Sequence, residues 1–480
     1  MPSLSEVRSL SAFLDAPVER ALLGLVYGRR RIGKSTLLVA ECEARGGFYF
    51  EATRVETPLQ LERLGEALGE HLGGGRLAFA DWGEALDRLL RLPSDDGRHP
   101  TVVLDELGHV LEADRSVEST LAKALGPGSR AGRGNVRLVL CGSAISMMRT
   151  LTAGQAPLRG RAGLELLMRP DDFRTAATRL PNPKDLALAV AVFSVIGGVV
   201  GYATDMVNFD LPDDFDDFDR WVTERVLSPA APLHYEATTL LAEDPALSGA
   251  SQLLHHGILG AIANGSVTAG SIALKVGRPV SNLAPSLNRL VDAGFVVRHV
   301  DPLRGQRARY ALSDPYLQFH YAVLEPHRSA LRMRSPIEMW RKRLVDTFGA
   351  RVRGPVFEEM ARDWVRRFAD EATLGGTPHH VGPSGAAVDG VDVELDVVVA
   401  GGGDVPIERD VLAIGEAKAG ESVGGRHLAR LERVRAALGA RAARARLLLF
   451  GSAFTNALRE DARRREDVEL VDLKRLYGGR

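Results

Sequence analysis

The 480-residue sequence has little of several features that mark specialised classes of protein. It contains two cysteines, Cys42 and Cys141, far apart and in apolar surroundings, which excludes a disulfide-stapled scaffold and fits a reducing compartment. The formal net charge is −1, so any attraction for nucleic acid has to be local. The N-terminus lacks the basic and apolar regions of a secretory signal, which predicts a cytoplasmic protein.

Long apolar runs are also scarce. The window from Leu186 to Ala203 suggests a membrane span, but its uninterrupted part before Gly197 is only eleven residues, nearer in length to a buried helix. We therefore expect no membrane partner. The content of 45% hydrophobic and 26% charged residues is that of an ordinary globular protein, and the length predicts about three or four domains.

A phosphate-binding pattern lies near the N-terminus. An apolar segment of strand length, Ala21 to Tyr27, is followed by Gly-x-x-x-x-Gly-Lys-Ser and then by a helical pattern. In this context the pattern predicts a P-loop, whose backbone N–H groups surround phosphate at a helix N-terminus. The predicted nucleotide-binding residues are Gly28, Arg29, Arg30, Arg31, Ile32, Gly33, Lys34, Ser35 and Thr36.

Two residues of this loop have specific chemistry. Lys34 is expected to reach the β- and γ-phosphates, and Ser35 is expected to bind Mg²⁺. The three arginines between the glycines are predicted to be solvated rather than catalytic, because they lie on the outer curve of the loop. The alternative is a Gly- and Arg-rich turn that matches the pattern by chance.

Polar residues follow the next two predicted strands. Asp105 and Glu106 end the strand that begins at Thr101; Asp105 is expected to hold Mg²⁺ and Glu106 to polarise the attacking water, with a helix cap as the alternative. The following strand ends at Ser143, which is placed to sense the γ-phosphate. Arg161 is a candidate phosphate contact, in cis or from a neighbouring subunit, and a solvated arginine is the alternative.

These motifs resemble a known family. VYGRRRIGKSTLL, VVLDEL, LCGSAISMM and APLRGR are similar to the prokaryotic ATPases of the archaeal-ATPase type, in the AAA+/STAND division of P-loop NTPases. The resemblance covers most of the first 200 residues and implies ATP and Mg²⁺ as cofactors and ATP hydrolysis as the activity. It departs near Val200, where the family usually has a proline.

A charged segment and a helical pattern follow. Residues 205–244 hold eleven acidic and two basic residues, which is typical of a solvated linker; an acidic contact that competes with DNA is the alternative. Beyond Ser251, three apolar helical stripes are separated by turns at Asn264 and Gly277, the spacing of a helix-turn-helix. Gly294 then ends the third helix before two strands with a basic tip, which we interpret as a wing.

This segment predicts DNA contacts of two kinds. Four polar residues are expected to face the major groove, and four arginines to hold phosphates. The alternative is a lid or protein-contact module, a use that winged helices also have in this ATPase division. The groove-facing candidates are Ser281, Asn282, Ser286 and Asn288, and the phosphate-binding candidates are Arg289, Arg304, Arg307 and Arg309.

Acids also lie on two strands near the C-terminus, Val391 to Ala400 and Val411 to Lys418. A hairpin centred near Pro406 would place Asp396 opposite Glu416, with Lys418 on the same face. Like carboxylates repel unless a cation lies between them, which predicts a divalent metal there, with Lys418 orienting or deprotonating the attacking water. An inert Glu and Lys ladder on an edge strand is the alternative.

This D…E-x-K arrangement resembles the PD-(D/E)xK fold of restriction endonucleases, which follows a winged helix in the archaeal-type ATPases. The resemblance implies a core of Asp396, Glu416 and Lys418, with Glu358 contributed by a helix that begins near Gly354. A basic helical segment with seven arginines between Gly424 and Arg446 could carry DNA phosphates, or could be a solvated face.

The predicted fold is a multidomain α/β protein with a P-loop NTPase parallel sheet. Its parts are an ATPase core (1–180), a helical lid and acidic linker (181–245), a winged helix (246–320), a helical connector (321–345) and a restriction-endonuclease-like α/β domain (346–480). The predicted function is an ATPase that binds DNA and gates Mg²⁺-dependent cleavage, with a homo-oligomer as a further expected partner. The alternative is an ATP-controlled oligomerisation switch whose C-terminal domain binds without cutting.

Overall fold

The computed structural model of the chain describes residues 4–17, 20–93, 99–126, 128–129, 134–305 and 308–479. Their strands form two five-stranded sheets and one two-stranded sheet, which helices connect and cover. The first large sheet lies within residues 22–167 and the second within residues 380–471. The chain is therefore an α/β protein.

Neighbouring strands of the first sheet all run parallel, in the spatial order β2, β3, β4, β1, β5. The strands are β1 (Leu22–Tyr27), β2 (Phe48–Glu51), β3 (Thr101–Asp105), β4 (Arg137–Gly142) and β5 (Ala162–Leu167). Because the strands are parallel, the segments that follow them leave the sheet at one edge, where ligands of such sheets bind. This arrangement matches a P-loop NTPase core.

Helices cover both faces of this sheet. They are α1 (Leu4–Leu14), α2 (Lys34–Glu43), α3 (Thr57–His71), α4 (Trp82–Leu89), α5 (Leu107–Ala113), α6 (Val117–Ala124) and α7 (Ile145–Thr150). Alternate residues of β4 divide between the faces: Val139 and Cys141 pack with α1 and α2, and Leu138 and Leu140 pack with α3 to α7. Cys42 and Cys141 are buried and free of disulfide bonds.

A helical segment follows the first sheet. Its elements are α8 (Phe173–Ala177), α9 (Leu186–Ile196), α10 (Phe215–Val222) and α11 (Glu236–Glu243), with π-helical turns at Tyr202–Met206 and Thr223–Leu227 and a 3₁₀ turn at Pro232–His234. The apolar window forms the buried helix α9, as predicted, and ends at Gly197, whose φ of 61° favours glycine. Across the described ranges, no helix combines the length and hydropathy that crossing a membrane requires.

Three helices and a hairpin come next: α12 (Gln252–Ala263), α13 (Ala269–Val276), α14 (Val280–Asp292), β6 (Val296–Val300) and β7 (Ala308–Leu312). Residues of the three predicted apolar stripes, among them Ile258, Ile272 and Leu287, are buried. Gly277 ends α13 with a φ of 70°, and β6 pairs antiparallel with β7. We call residues 252–312 the helix–hairpin module.

A helical connector joins this module to the second large sheet. Its elements are α15 (Pro315–Phe319), α16 (Arg328–Met333), α17 (Pro336–Met339) and α18 (Val345–Phe348), with irregular helical turns at His320–Leu324, Glu325–His327, Trp340–Leu344 and Gly349–Arg353. The Trp340 ring lies 5.5 Å from Phe348 and 6.2 Å from Phe218 of α10. Trp340 Nε1 donates to Asp219 Oδ1 at 2.7 Å. The connector therefore packs on the helical segment rather than hanging free.

The second large sheet is mixed, with the order β12, β11, β10, β9, β8. Strands β8, β9 and β10 are antiparallel, and β10, β11 and β12 are parallel. The strands are β8 (His380–Val388), β9 (Val391–Ala400), β10 (Val411–Val423), β11 (Arg446–Phe454) and β12 (Val468–Val471). The helices are α19 (Gly354–Arg367), α20 (Glu371–Leu374), α21 (Gly425–Leu438), α22 (Asn456–Arg463) and α23 (Leu473–Gly478), with 3₁₀ turns at Pro406–Glu408 and Gly439–Ala442.

The largest buried apolar cluster crosses the boundaries of the predicted domains. It includes Val139 of the first sheet, Trp221 of α10, Leu287 of the helix–hairpin module and Phe450 of the second sheet. A separate cluster lies on the other face of the second sheet, beneath α21 and α22. The largest cluster therefore links the two large sheets through the helical parts between them.

Candidate nucleotide and metal sites

The P-loop follows β1 at the edge where the parallel strands end. A Cβ on Gly28 would come within 2.4 Å of the Met168 carbonyl oxygen, and Gly33 has a φ of 90°, so both positions require glycine. Helix α2 begins at Lys34 and points its N-terminus at the loop. Lys34 Nζ donates to the Arg29 carbonyl oxygen at 2.9 Å, and burial lowers the pKa of Lys34.

A hydroxyl, a phenol and a carboxylate meet beside this loop. Ser35 Oγ and Tyr49 Oη each donate to Asp105 Oδ2 at 2.7 Å. Burial would raise the pKa of Asp105, but hydrogen bonds from Cys141, Tyr49 and Ser35 lower it overall, so the carboxylate stays ionised. Ser35 and Asp105 therefore fit Mg²⁺, which takes hard oxygen ligands and keeps several waters. No sequence motif singles out Tyr49, whose position follows from the pairing of β2 with β3.

The two remaining polar residues at this edge contact each other. Glu106 follows β3 with a φ of 50°, a conformation uncommon for a residue other than glycine. Ser143 Oγ donates to Glu106 Oε2 at 3.3 Å. Strained backbone of this kind concentrates at functional sites. The structure thus brings together the residues predicted to bind metal, polarise water and sense phosphate.

Arg161 lies at the wrong edge of the sheet for a contact with phosphate in the same chain. It is exposed and directly precedes β5, whose Ala162 pairs with Leu23 at the start of β1. The P-loop follows the opposite end of β1. A six-residue strand spans about 20 Å, beyond the reach of an arginine side chain. The predicted contact of Arg161 with phosphate in the same chain is therefore wrong, because the parallel register of β1 and β5 places Arg161 at the far end of the sheet from the P-loop.

The three arginines of the P-loop, Arg29, Arg30 and Arg31, are here called the arginine triad, and each pairs with an acid from later in the chain. The pairs are Arg29 Nη1 with Asp314 Oδ2 at 2.8 Å, Arg30 Nη1 with Glu243 Oε1 at 2.9 Å, and Arg31 Nε with Glu236 Oε1 at 3.1 Å. The side chains of Arg29 and Asp314 are 8% and 2% exposed. The prediction of solvated arginines is wrong for Arg29, because the outer curve of the loop faces downstream protein.

The acidic segment predicted as a solvated linker supplies two of these partners. Glu236 and Glu243 are the first and last residues of α11, which packs beside the P-loop. Burial raises the pKa of Glu236, although Arg31 opposes the shift. Part of the acidic run therefore has a specific binding partner within the chain, a role that charge counting did not indicate.

The C-terminal acids also meet in one place. The antiparallel register of β9 and β10 sets Glu416 beside Asp396, as the sequence predicted. Lys418 Nζ lies 3.4 Å from Asp396 Oδ2 and 3.2 Å from Glu416 Oε1. Arg362 Nη1 lies 3.9 Å from Glu358 Oε2 and donates to the Asp396 carbonyl oxygen, so Glu358 of α19 lies near this pair. We call Asp396, Glu416, Lys418 and Glu358 the carboxylate cluster.

Asp396 lies at a β-bulge. Gly382 pairs with Val398 and Ser384 pairs with Leu395, so β9 has one more residue than β8 in this interval. Leu395 and Val398 consequently pack into the same core cluster, although residues three apart on a regular strand face opposite sides. Bulges re-aim side chains and are common beside active sites. Hydrophobic alternation in the sequence does not reveal this extra residue.

Two arginines surround the carboxylate cluster. Arg430 Nη1 of α21 donates to Glu416 Oε1 at 2.8 Å, and Arg362 Nη1 of α19 donates to the Asp396 carbonyl oxygen at 2.7 Å. In the sequence, Arg430 is one of seven arginines in a basic segment, and nothing distinguishes it. Its role depends on how α21 packs against the sheet, which sequence reasoning did not reach.

The carboxylate cluster fits a magnesium ion bound by few protein ligands. Glu416 Oε2 is buried and has no hydrogen-bond partner within the described part of the chain, a position that a cation would satisfy. Among the residues that the structure describes, no three His, Cys, Asp or Glu side chains form a metal cage. Mg²⁺ is commonly held by one or two carboxylates plus water, so Asp396 and Glu416 suffice.

Electrostatics divides the roles of the cluster. Burial would lower the pKa of Lys418, but Asp396 and Glu416 raise it overall, so Lys418 remains a cation that can orient water rather than deprotonate it. Burial, together with the charge of Asp396, raises the pKa of Glu358 to about 7. A carboxylate that titrates near neutrality is suited to accept a proton.

The residues predicted to face a major groove lie in different environments. Ser281, Asn282 and Asn288 are exposed on α14, and so is Arg289, which was predicted to contact phosphate. Ser286 is 5% exposed and belongs to the buried face of the helix, so its prediction as a groove contact is wrong. The reason is its spacing from the buried leucines of α14, which puts it on their side of the helix.

The basic hairpin is docked on the second sheet. Arg304 pairs with Asp392, and Arg309 Nη1 lies 3.0 Å from Glu394 Oε1, both acids being on β9. The predicted phosphate contacts Arg304 and Arg309 therefore have carboxylate partners within the chain. Arg307 lies outside the described residues.

The strand order, the P-loop and the polar groups at one sheet edge define an α/β protein with a P-loop NTPase core. No family model matches the chain. The chain is 24% identical over 333 residues to an uncharacterized protein of Methanocaldococcus jannaschii, which covers 68% of this chain and 69% of that protein.

Two solved structures are reported among those similar to this chain. A Walker-type ATPase of Pyrococcus abyssi is 19% identical with a TM-score of 0.43, covering 67% of this chain and 95% of its own. The ORC2 protein of Aeropyrum pernix, in ADPNP–ADP complexes, is 15% identical with a TM-score of 0.41, covering 68% and 92%.

Glu358 and its neighbour Glu359 allow a test of the opposite pKa shifts of these two carboxyl groups. Glu358→Gln should raise the melting temperature at pH 8, and the gain should shrink as the pH falls through 7 and vanish near the pKa of an unfolded glutamate, about 4.3. The folded pKa of Glu358 is about 7, above the unfolded value, so the stability that this group contributes is lost as the pH rises through 7. A neutral amide avoids that loss. Thermal unfolding in EDTA at pH 5 and pH 8 measures the effect.

Glu359→Gln is the matched control and should behave in the opposite way. Burial would raise the pKa of Glu359, but Arg362, His299 and Arg366 lower it to about 2. Its contribution is therefore present above the unfolded pKa, and the variant should lose stability at pH 8. An equal gain at both pH values for Glu358→Gln would contradict the description.

Proposed function

We propose that the chain is a cytoplasmic P-loop ATPase that binds DNA and uses its nucleotide state to control a Mg²⁺-dependent phosphodiester-cleaving site. The observation that carries the ATPase assignment is the contact of Ser35 with Asp105, beside Lys34 and at the sheet edge where Glu106 meets Ser143. Phosphate-binding, metal-binding and water-polarising groups thus share one location. The two buried, free cysteines are compatible with a reducing cytoplasm.

In this proposal each group acts on one part of the reaction. The backbone N–H groups of the loop and Lys34 bind the phosphates, and Ser35 with Asp105 would hold Mg²⁺, which neutralises charge on the β- and γ-phosphates. Glu106 polarises the water that attacks the γ-phosphorus. Ser143, bound to Glu106, responds to the presence of the γ-phosphate.

The carboxylate cluster supports the cleavage half of the proposal. Asp396 and Glu416 would hold Mg²⁺, which polarises the phosphodiester. Lys418 orients the attacking water, and Glu358 accepts its proton as the new P–O bond forms and the bond to the leaving oxygen breaks. The exposed polar face of α14 supports DNA as the substrate.

A switch without cleavage is the second candidate. Glu416 Oε1 already has two cationic partners, Lys418 at 3.2 Å and Arg430 at 2.8 Å. A cluster whose charges are balanced within the protein could serve only to bind a partner. ATP would then control self-association, which a measurement of molecular mass with and without ATP would reveal.

Lys34→Ala should lower ATP hydrolysis by about 100-fold or more, because it removes the side chain that stabilises charge on the transferred phosphoryl group. Phosphate release under saturating Mg²⁺ and ATP measures the effect. The control is Lys123→Ala, which replaces an exposed lysine on α6, a helix that packs on the same sheet. This variant should retain full activity. Normal turnover by Lys34→Ala would rule out the ATPase assignment.

Glu416→Gln should abolish cleavage of DNA while leaving ATP hydrolysis intact, because the amide cannot supply the negative charge that holds the metal. The assay uses linear, supercoiled and single-stranded DNA with Mg²⁺ or Mn²⁺, each with and without ATP. Glu460→Gln, on the exposed side of α22, is the control. If the wild type cuts none of these substrates, the binding switch replaces the nuclease.

Replacing both Asp392 and Glu394 by their amides should tighten DNA binding severalfold, because Arg304 and Arg309 then lose their partners on β9 and become available to phosphates. Such exposed ion pairs are worth roughly 0–1 kcal/mol each, so the gain is modest and should diminish as salt rises. Fluorescence anisotropy at two salt concentrations measures it. Glu460→Gln with Glu466→Gln removes the same charge elsewhere, and an equal gain in that control would refute the assignment.

A further inference from the structure

The arginine triad connects the P-loop to two later parts of the chain. Two of its partners are on α11, and the third, Asp314, lies two residues beyond the helix–hairpin module. The Arg29 guanidinium lies 5.4 Å from the centre of the Phe295 ring, which belongs to the turn before β6. Arg29 Nη2 is buried and has no hydrogen-bond partner in the described ranges. One phosphate-binding loop is thus held from outside by three carboxylates.

The backbone of the loop joins these contacts to the phosphate site. The Arg29 carbonyl oxygen accepts from Lys34 Nζ, the group expected to bind the β- and γ-phosphates. The Arg31 carbonyl oxygen accepts from Gly201 N at 2.8 Å, which ties the loop to the helical segment. A phosphate that attracts Lys34 therefore competes with the Arg29 carbonyl oxygen, and the side chain of the same residue binds Asp314.

Asp314 is itself a junction. Its Oδ1 accepts from Tyr316 N at 2.9 Å and caps α15, while its Oδ2 accepts from Arg29. A Cβ on Gly197 would come within 2.9 Å of Asp314 Oδ1, so the capped turn lies closely against the end of α9. Movement of Arg29 therefore changes the environment of α15 and α9 together.

A small cleft lies where these parts meet. It is lined by Arg29 and Arg30 from the loop, Ser143, Glu243 of α11, and Ala293 and Phe295 of the helix–hairpin module. Ser143, the residue proposed to respond to the γ-phosphate, thus shares a cleft with α11 and with the turn before β6. Negative charge that enters this region meets the same guanidinium groups that the acids hold.

We propose that the arginine triad consists of positioning residues that exchange their acidic partners for the phosphates of bound nucleotide, so that triphosphate binding loosens α11 and α15 from the P-loop. The exchange follows from competition between anions for one set of cations, since phosphate and carboxylate bind guanidinium in the same way. This inference rests on the proposed ATPase function. It supplies the physical link by which nucleotide state would reach the C-terminal part of the chain.

Hydrogen exchange of the full chain, with Mg²⁺ and a saturating non-hydrolysable ATP analogue, tests the inference. In the wild type, amides of α11 and α15 should exchange at least about threefold faster with the analogue than without it, because their acidic anchors weaken. Arg29→Met, studied at an analogue concentration raised until a titration shows the variant to be saturated, should show no such change in α15. Arg45→Met is the matched control, because Arg45 pairs with Asp15 and Glu41, which lie beside α1 and on α2 and not on α11 or α15. This variant should respond like the wild type.

A second variant protects the test against misfolding. Loss of one partner of a buried ion pair is strongly destabilising, whereas loss of both is far less so. The double variant of Arg29→Met with Asp314→Asn removes both charges, and asparagine keeps the cap of α15. It should fold and lack the response of α15 to the analogue, whereas a merely structural role would let this variant recover the response.

Three outcomes separate the possibilities. A wild type that binds the analogue with unchanged or slower exchange in α11 and α15 would overturn the inference alone. A response in the double variant equal to that of the wild type would overturn it as well. Failure of the wild type to bind the analogue, read from a titration of the same sample, would instead overturn the proposed ATPase function.

Discussion

A guanidinium buried in protein is costly unless a carboxylate is buried with it, and Arg29 finds its carboxylate 285 residues later in the chain. Leaving Arg29 without Asp314 would place an uncompensated charge in the interior. The P-loop can therefore keep this conformation only while the segment after the helix–hairpin module stays docked. The continuous apolar core that runs from the first sheet to the second reinforces the same dependence.

Both candidate sites use strand ends and strand pairing to gather charged groups. In the first sheet, parallel strands bring Lys34, Asp105 and Ser143 to one edge. In the second, antiparallel pairing brings Asp396 beside Glu416. The negative charge at each site has partners. At Asp105, Ser35 and Tyr49 donate hydrogen bonds to the carboxylate. At Glu416, the positive charges of Lys418 and Arg430 lie beside it. At both places, carboxylates that are partly removed from water have hydrogen-bonding or charged partners.

Sequence reasoning reached what local pattern determines. The P-loop, the buried helix α9, the helix–hairpin elements and the neighbouring positions of Asp396 and Glu416 follow from glycine placement, apolar period and strand alternation. Contacts set by long-range packing were missed, among them Tyr49 with Asp105, Arg430 with Glu416 and the three acids of the arginine triad. Arg161 and Ser286 were misplaced because strand direction and helix rotation decide where they point. A run of acidic residues predicts a solvated segment when its partners in space are unknown. The acids of α11, Glu236 and Glu243, instead pair with Arg31 and Arg30.

The bulge in β9 lets acids of one strand contact both the basic hairpin and Glu416 of β10. Before the extra residue, Asp392 and Glu394 face the basic hairpin; after it, the alternation has shifted, and Asp396 lies against Glu416. A strand of strict period two would commit all three acids to a single neighbour. One inserted residue thus lets neighbouring carboxylates of one strand face different partners. Deleting it would turn Asp392, Glu394 and Asp396 to the same side of the strand.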